Sequence, residues 1–481
     1  MPEAVPGEPP SLYLHAELLP NIRHITLYIS LPATISKTLL PKITLSDSRR
    51  AVSVSLSEPH NHVSDTIKLP ARANEAARRT LATSPNPNQT PQSQTESHTR
   101  EYSFRMQIDD RAEPLLAREE PLDAFVPWTA TDMRPATRLR CRVCENMLLE
   151  RPGAGRPDTD TIENGNEPTG WTWKDLPSGN WAEMMDFWHC HKPDPEPDTA
   201  AAATENLSQE QSAVVKGYGA ANRVVATPGT VLVDVATFLV SGTDCRGVNV
   251  NAQATEDARS PAELLCSSCD NLIGIDDPVA EGWRLFKTSL SAHTPPDDTP
   301  TPPQEDWETH SIETIVAAQL LELIERESAR RFVLHCGQKS GLLLWVFNPD
   351  LRYSNSSSSH SVTAQRAMKV LFQSVADVDE MLHPECGKPS PLSLEELRLP
   401  GTVFGAVEEV LRTRNEMLPA SARGFREWST PMLSEQQLLH DLNMTTWGTR
   451  ETPQSFKPQG FESSFVQKAL IFEICNVLSN S

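Results

Sequence analysis

Two C-x-x-C pairs constrain this chain more than any other feature. Cys141 and Cys144 stand in Leu-Arg-Cys-Arg-Val-Cys-Glu-Asn, and Cys266 and Cys269 stand in Leu-Leu-Cys-Ser-Ser-Cys-Asp-Asn. The spacing is what a tetrahedral zinc ion needs: one tight turn delivers two thiolates to adjacent vertices and a second turn supplies the other two. Each pair is followed by Glu-Asn or Asp-Asn and then by an aliphatic cluster, so the two read as matched knuckles. They lie 128 positions apart, far beyond a zinc finger, and share an ion only if both sit at neighbouring strand ends. Four free buried cysteines acting as small hydrophobes are one alternative. A redox C-x-x-C is another, although such a motif usually follows a strand of a βαβ unit, which is missing from the sequence.

Composition narrows the setting. The nine cysteines are an odd number. The start, Met-Pro-Glu-Ala-Val-Pro-Gly-Glu-Pro-Pro, has neither the basic lead nor the apolar core of a secretory signal. Cytoplasm and nucleus are therefore expected, where paired cysteines serve as metal ligands or reactive thiols more often than as disulfides. With 43 basic and 64 acidic residues the net charge is −21, so direct nucleic-acid binding is not expected. No apolar run reaches the 18 or so residues of a membrane span. Nor is there a phosphate-binding Gly-rich loop, a Gly-x-Ser-x-Gly elbow, a His-Glu-x-x-His helix or an internal repeat.

The 481 residues suggest about three domains, and 40 prolines with 38% hydrophobic residues suggest ordered blocks broken by disordered insertions. Residues 11–70 and 101–150 read as a β-rich N-terminal region. Within it Ile25, Leu27 and Ile29, then Val52, Val54 and Leu56, then Tyr102, Phe104, Met106 and Ile108 alternate with polar neighbours, the period of half-buried strands. Residues 71–100 read as a disordered insertion. Residues 170–191 form a Trp-rich segment, and 223–290 hold a strand at Val231–Val240 and the second knuckle. A linker is expected at 291–306. From 307 to 481 the region reads as α+β: Ile312, Ile315, Val316, Leu320, Leu323 and Ile324 recur at helix spacing. Phe332–Cys336 and Leu342–Phe347 read as a hairpin, and further helices are expected at Val362–Val375, Thr402–Met417 and Ser464–Leu478. The fold class expected is α+β, a β-rich N-terminal half joined by a four-cysteine zinc knuckle pair to an α+β C-terminal half.

Between the knuckles, Ser178 caps an expected short helix that carries Trp181, Met184, Met185 and Trp188 and ends in Cys190-His191. Zinc ligation within the chain, zinc ligation in a partner, and a reactive thiol are open readings, as is an aromatic core helix with an incidental Cys-His tail. The order C-x-x-C, Leu176-Pro177-Ser178-x-Asn180-Trp181, Trp188-x-Cys190-His191, strand, C-x-x-C is similar to the E3D family of HECT-like, E2-binding ubiquitin-protein ligases, in a fungal-type form with low-complexity insertions. Ala317–Ile324, Phe332–Leu334, Leu344–Val346 and Asn415–Trp428 extend the likeness.

That resemblance implies an enzyme that binds a ubiquitin-conjugating enzyme E2 and accepts ubiquitin as a cysteine thioester before passing it to a lysine. With the knuckles assigned to structural zinc, Cys190, Cys245, Cys336, Cys386 and Cys475 remain. Cys190, Cys386 and Cys336 are the acceptor candidates: Cys386 lies in a polar loop near His383 and Lys388, and Cys336 follows His335, whose imidazole would lower its pKa. The resemblance also implies a different role, as an inhibitor or chaperone of the two-zinc endonuclease of pre-mRNA 3′-end processing. There Trp181–His191 would enter the nuclease site with Cys190 as a metal ligand. Pro177, Ser178, Trp181, Trp188, Cys190 and His191 are the partner-binding residues implied. A zinc-stabilised adaptor for an E2 or a cyclin is the plainest alternative.

Overall fold

The computed structural model describes residues 12–31, 35, 39–82, 100–109, 126–150, 170–176, 224–251, 261–295, 306–356, 361–384 and 394–434. The chain divides into two compact units. One comprises Met1–Phe125, Ile312–Ala317 and Glu327–Ser481, the other Val126–Ser311 and Ala318–Arg326.

The first unit is built on a ten-stranded sheet. Tyr13–Leu19 pairs antiparallel with His24–Leu31 on one side and with Gly341–Ser356 on the other. His24–Leu31 then pairs with Arg100–Gln107. The expected alternation holds: Ile25, Leu27 and Ile29 are fully buried beside Leu14 and Met106. A second sheet, Lys42–Leu45, Ala51–Ser55 and Ser64–Lys68, adds Val52, Val54 and Ile67 to the same core. The expected hairpin is present as Arg331–His335 and Gly341–Ser356. The helix Gly401–Glu416 buries Val403, Val407 and Leu411, one stripe at a spacing of four.

On the other face of Tyr13–Leu19 the sheet buries charge. Lys369 Nζ lies 2.8 and 2.7 Å from the two Glu17 carboxylate oxygens, and His15 Nε2 lies 3.1 Å from Oε1. Tyr28 and Tyr353 flank the His15 ring. Burial alone would raise the Glu17 pKa, but Lys369 and His15 outweigh it and bring it down to about 2.

The second unit joins a seven-stranded sheet to a three-stranded one around a common core. The larger sheet runs in the order Val248–Asn251, Glu263–Cys266, Leu272–Asp277, Gly282–Phe286, Thr237–Val240, Thr230–Val233, Thr172–Asp175. The smaller is Leu290–His293, Arg138–Cys141, Met147–Leu149. The helix expected from Ile312 spans Ile312–Glu327, with Ile315, Val316, Leu320 and Leu323 buried. No helix among the described residues is long and apolar enough to cross a membrane.

Several expectations are corrected. The N-terminal strands do not form a half of their own; they pair directly with C-terminal strands, and strands dominate throughout. The stretch Val362–Val375 is not a helix but most of the strand Ser361–Val375, paired with Gly341–Ser356 and Met432–Ser434. Its residues 367–372 are all buried, which erases the alternation that marks a strand. Val231–Val240 is two strands turned at Asp234, whose carboxylate accepts from Val235 N and Thr237 Oγ1. Residues 71–82 are not an empty insertion: Ala73, Ala77 and Leu81 enter the core, the last two on the helix Ala77–Ala82. Residues 291–295, placed in the linker, complete the strand Leu290–His293 and run two residues beyond it. The helix expected at Ser464–Leu478 lies outside the described residues.

Candidate metal centre

The two knuckles have the same construction. Arg138–Cys141 enters the first and Met147–Leu149 leaves it, while Glu263–Cys266 enters the second and Leu272–Asp277 leaves it. In each, the amide of the first cysteine donates to the asparagine five residues on: Cys141 N to Asn146 O, and Cys266 N to Asn271 O, both 2.8 Å. The acidic residue between them closes the turn by donating back, Glu145 N to Cys141 O at 3.0 Å and Asp270 N to Cys266 O at 2.9 Å. Both acidic residues take left-handed backbone, φ 65° and 55°, which bends the chain enough to put two sulfurs on one side.

The four Sγ atoms lie within 4.8 Å of one another. Cys141 and Cys269 are 3.8 Å apart, and Cys144 and Cys266 are 3.5 Å apart, so each close contact joins one knuckle to the other. A disulfide would need about 2.05 Å. A tetrahedron with Zn–S bonds of about 2.3 Å has edges of about 3.8 Å. The donor set therefore fits a single thiophilic ion. Cys141 and Cys266 are buried against Leu139, Leu148, Leu264 and Ile273, so the knuckles grow out of the core of this unit.

The sulfurs are not electrostatically equivalent. The Asn146 amide donates to Cys144 and, over a small burial penalty, lowers its pKa to about 6. The Asn271 amide acts in the same sense on Cys269, but desolvation and hydrogen bonds to the other three sulfurs push that thiol up to about 12. Burial raises Cys141. Four thiols this close resist carrying several negative charges together, a cost that a bound cation would relieve.

Of the remaining cysteines, Cys245 is half-buried, and desolvation followed by the Asp244 charge pushes its pKa up to about 12. Cys336 follows the strand Arg331–His335, but His335 is committed elsewhere. Its Nδ1 accepts from Gly337 N at 3.2 Å, and its Nε2 lies 2.7 Å from Glu396 Oε1. Both ring nitrogens of His335 thus have partners of their own. Cys190, Cys386 and Cys475 lie outside the described residues, as do Pro177, Ser178, Trp181, Trp188 and His191, on which the endonuclease reading rests. The described chain stops at Leu176, just past Thr172–Asp175, and resumes ahead of Thr230–Val233. These strands pair in parallel, Thr172 opposite Thr230 and Asp175 opposite Val233, so the described chain on either side of 177–223 lies on adjacent strands.

Sequence reading missed Lys287, which is fully buried and donates from Nζ to Pro127 O at 2.8 Å and Trp128 O at 3.1 Å. Burial brings its pKa down to about 7. Nothing in Phe-Lys-Thr-Ser distinguishes it from a surface lysine.

The profile of one protein family, described as HECT-like ubiquitin-conjugating enzyme (E2)-binding, matches residues 17–430. Two uncharacterized proteins are similar over most of their length. One, from Saccharomyces cerevisiae, is 26% identical over 63% of this chain and 71% of its own. The other, from Schizosaccharomyces pombe, is 25% identical over 64% of this chain and 77% of its own. The E3 ubiquitin-protein ligase E3D of Pongo abelii is 23% identical, over 54% of this chain and 66% of its own. No solved structure matches the chain.

Proposed function

The chain belongs to the HECT-like, ubiquitin-conjugating enzyme (E2)-binding family, and from that premise we propose that it docks a ubiquitin-charged E2 and takes the ubiquitin onto one of its own cysteines. A structural zinc held by Cys141, Cys144, Cys266 and Cys269 stabilises the unit from which the Trp-rich stretch departs. The observation that carries the reading is the family match from residue 17 to residue 430, which takes in both knuckles.

The chemistry is thioester exchange. A cysteine thiolate of this chain attacks the carbonyl carbon of the ubiquitin–E2 thioester, the E2 thiolate leaves, and a substrate lysine amine later displaces the cysteine and forms an amide. Because both ring nitrogens of His335 already have partners, Cys190 and Cys386 are the acceptors to test before Cys336. The zinc carries no step of the transfer; bound, it would offset part of the charge of four thiolates and tie two distant hairpins together. A reducing compartment, cytoplasm or nucleus, keeps all these sulfurs available.

The test combines the full chain with E1, a panel of E2 enzymes and ubiquitin, read on gels with and without reductant, for wild type and Cys190→Ala, Cys386→Ala and Cys336→Ala. The expected result is an E2 complex and a reductant-sensitive ubiquitin adduct that one of the first two variants loses. An E2 complex without any adduct removes the transfer step, and no E2 complex at all removes the reading.

A further inference from the structure

The two knuckles match in backbone but not in what their asparagine side chains do. Asn146 reaches out of the first knuckle with its side-chain amide. Its Nδ2 donates to Gly247 O at 3.1 Å and lies 3.5 Å from both Cys266 Sγ and Ser267 Oγ, which belong to the second knuckle. Among the described residues no such side-chain bond is found from Asn271.

Gly247 belongs to a third stretch of chain, just before the strand Val248–Asn251, and its surroundings are built for this contact. Its carbonyl accepts a second time, from Ser267 N at 2.9 Å. The preceding residue is tied to the first knuckle's exit strand, Arg246 N donating to Leu148 O at 2.9 Å. Gly247 has φ +62°, and a Cβ there would lie 2.3 Å from Asn146 Nδ2. Conformation and space both call for glycine, so the carbonyl and the Asn146 amide approach as closely as they do.

We infer that the Asn146 amide and the Gly247 carbonyl form a staple outside the sulfurs that holds the two knuckles in register around the metal. Asn146 is a positioning residue: it touches a ligand sulfur, Cys266, rather than the ion. Its N–H is directed at that sulfur, which fixes where the Cys266 side chain points, and its anchor on Gly247 prevents the second knuckle from swinging away. Partners of this kind typically govern metal affinity or activity by 10–100-fold. The staple couples occupancy of the centre to the edge strand Val248–Asn251 and gives the centre one rigid side, at Cys266, and one looser side, at Cys269.

This inference rests on the zinc reading above, and the experiment separates the two. Full-length protein, wild type and variant, is challenged with a chromogenic chelator, and the rate of zinc release is followed. The cobalt-substituted forms are compared through their thiolate-to-cobalt charge-transfer bands. Asn146→Asp, which keeps the shape and loses the donors, and Asn146→Ala should release metal about 10–100-fold faster than wild type and alter the cobalt spectrum. Asn271→Asp, at the matched position, should stay within about threefold. A metal-free wild type would dispose of the zinc reading itself. A metal-bound wild type with Asn146 variants inside twofold of it, or with Asn271→Asp as fast as Asn146→Asp, would overturn the staple alone. Hydrogen exchange on the wild type needs no variant to fold: chelation should speed exchange over 245–251 at least tenfold, and unchanged protection there would also overturn the inference.

Discussion

The two units of this chain face the same difficulty and meet it with different chemistry. Each must join segments that are remote in sequence. In the first, Tyr13–Leu19 finds Gly341–Ser356 by strand pairing over a continuous apolar core, with one buried cluster, His15, Glu17 and Lys369, fixing the register on the opposite face. In the second, four sulfurs bring together hairpins that begin 125 residues apart, Cys141 with Cys266. A sheet of that size resists most local insults but depends on a correctly charged interior. A pair of hairpins clasped by a metal would depend instead on its ion. The first arrangement is sensitive to loss of a counter-charge, the second, with zinc bound, to chelation, oxidation and protonation of its thiolates.

Perturbations aimed at one unit or the other test this contrast, beginning with the most drastic. Chelation, or Cys141→Ser, should abolish the cooperative melt of the second unit, since structural zinc is worth on the order of 10 kcal/mol in small zinc domains. Hydrogen exchange should accelerate across Arg138–Leu149 and Glu263–Asp277 while Tyr13–Leu31 keeps its protection. Equal loss in both units would end the contrast.

Lys369→Met leaves the Glu17 carboxylate buried without its counter-charge and should cost the first unit about 3–5 kcal/mol, with zinc content unchanged. Adding Glu17→Gln to that variant should restore most of the loss, as chemical denaturation would register. Acid gives the next largest effect. A carboxyl held at about 2 against an ordinary 4.5 stabilises the fold above about pH 4.5, and the contribution fades as pH falls toward 2. The first unit should lose on the order of 3 kcal/mol across that window, and Glu17→Gln should flatten the profile. The smallest effect is expected of Asn74→Ala. The Asn74 carboxamide accepts from Ala77 N at the start of the helix Ala77–Ala82, and removing such a cap costs about 1 kcal/mol. A fully neutral outcome there would mean that this helix adds nothing to the core it lines.

What could be read from the sequence follows the same division. The knuckles were legible because their chemistry is local: a turn that places two thiolates needs a fixed spacing, and the Glu-Asn and Asp-Asn that follow turned out to supply the left-handed residue and the returning carbonyl. Strands with one wet face, such as Ala51–Ser55 and Arg100–Gln107, declared themselves by alternation. Ser361–Val375 did not, because it lies inside the sheet with both faces covered at 367–372. Tyr13–Leu19 escaped notice for the opposite reason. Tyr13, His15 and Glu17 look like a solvent face, and only their partners Lys369, Tyr28 and Tyr353, far along the chain, make that face an interior. Ala73, Ala77 and Leu81 were masked by the polar, proline-rich text that follows them. The Asn146 side chain carried no signal of its own, since its role depends on a glycine about a hundred positions away.

The interleaving of the units also dictates an order of events during synthesis. The strand Tyr13–Leu19 leaves the ribosome early, yet its partner Gly341–Ser356 is more than three hundred residues behind it. At roughly 5–20 residues per second that interval is on the order of tens of seconds. The middle of the chain emerges in full, both hairpins included, while the first strands are still waiting for the far side of their sheet. A nascent chain stalled after residue 311 should therefore already capture zinc while its opening strands remain open to chaperones.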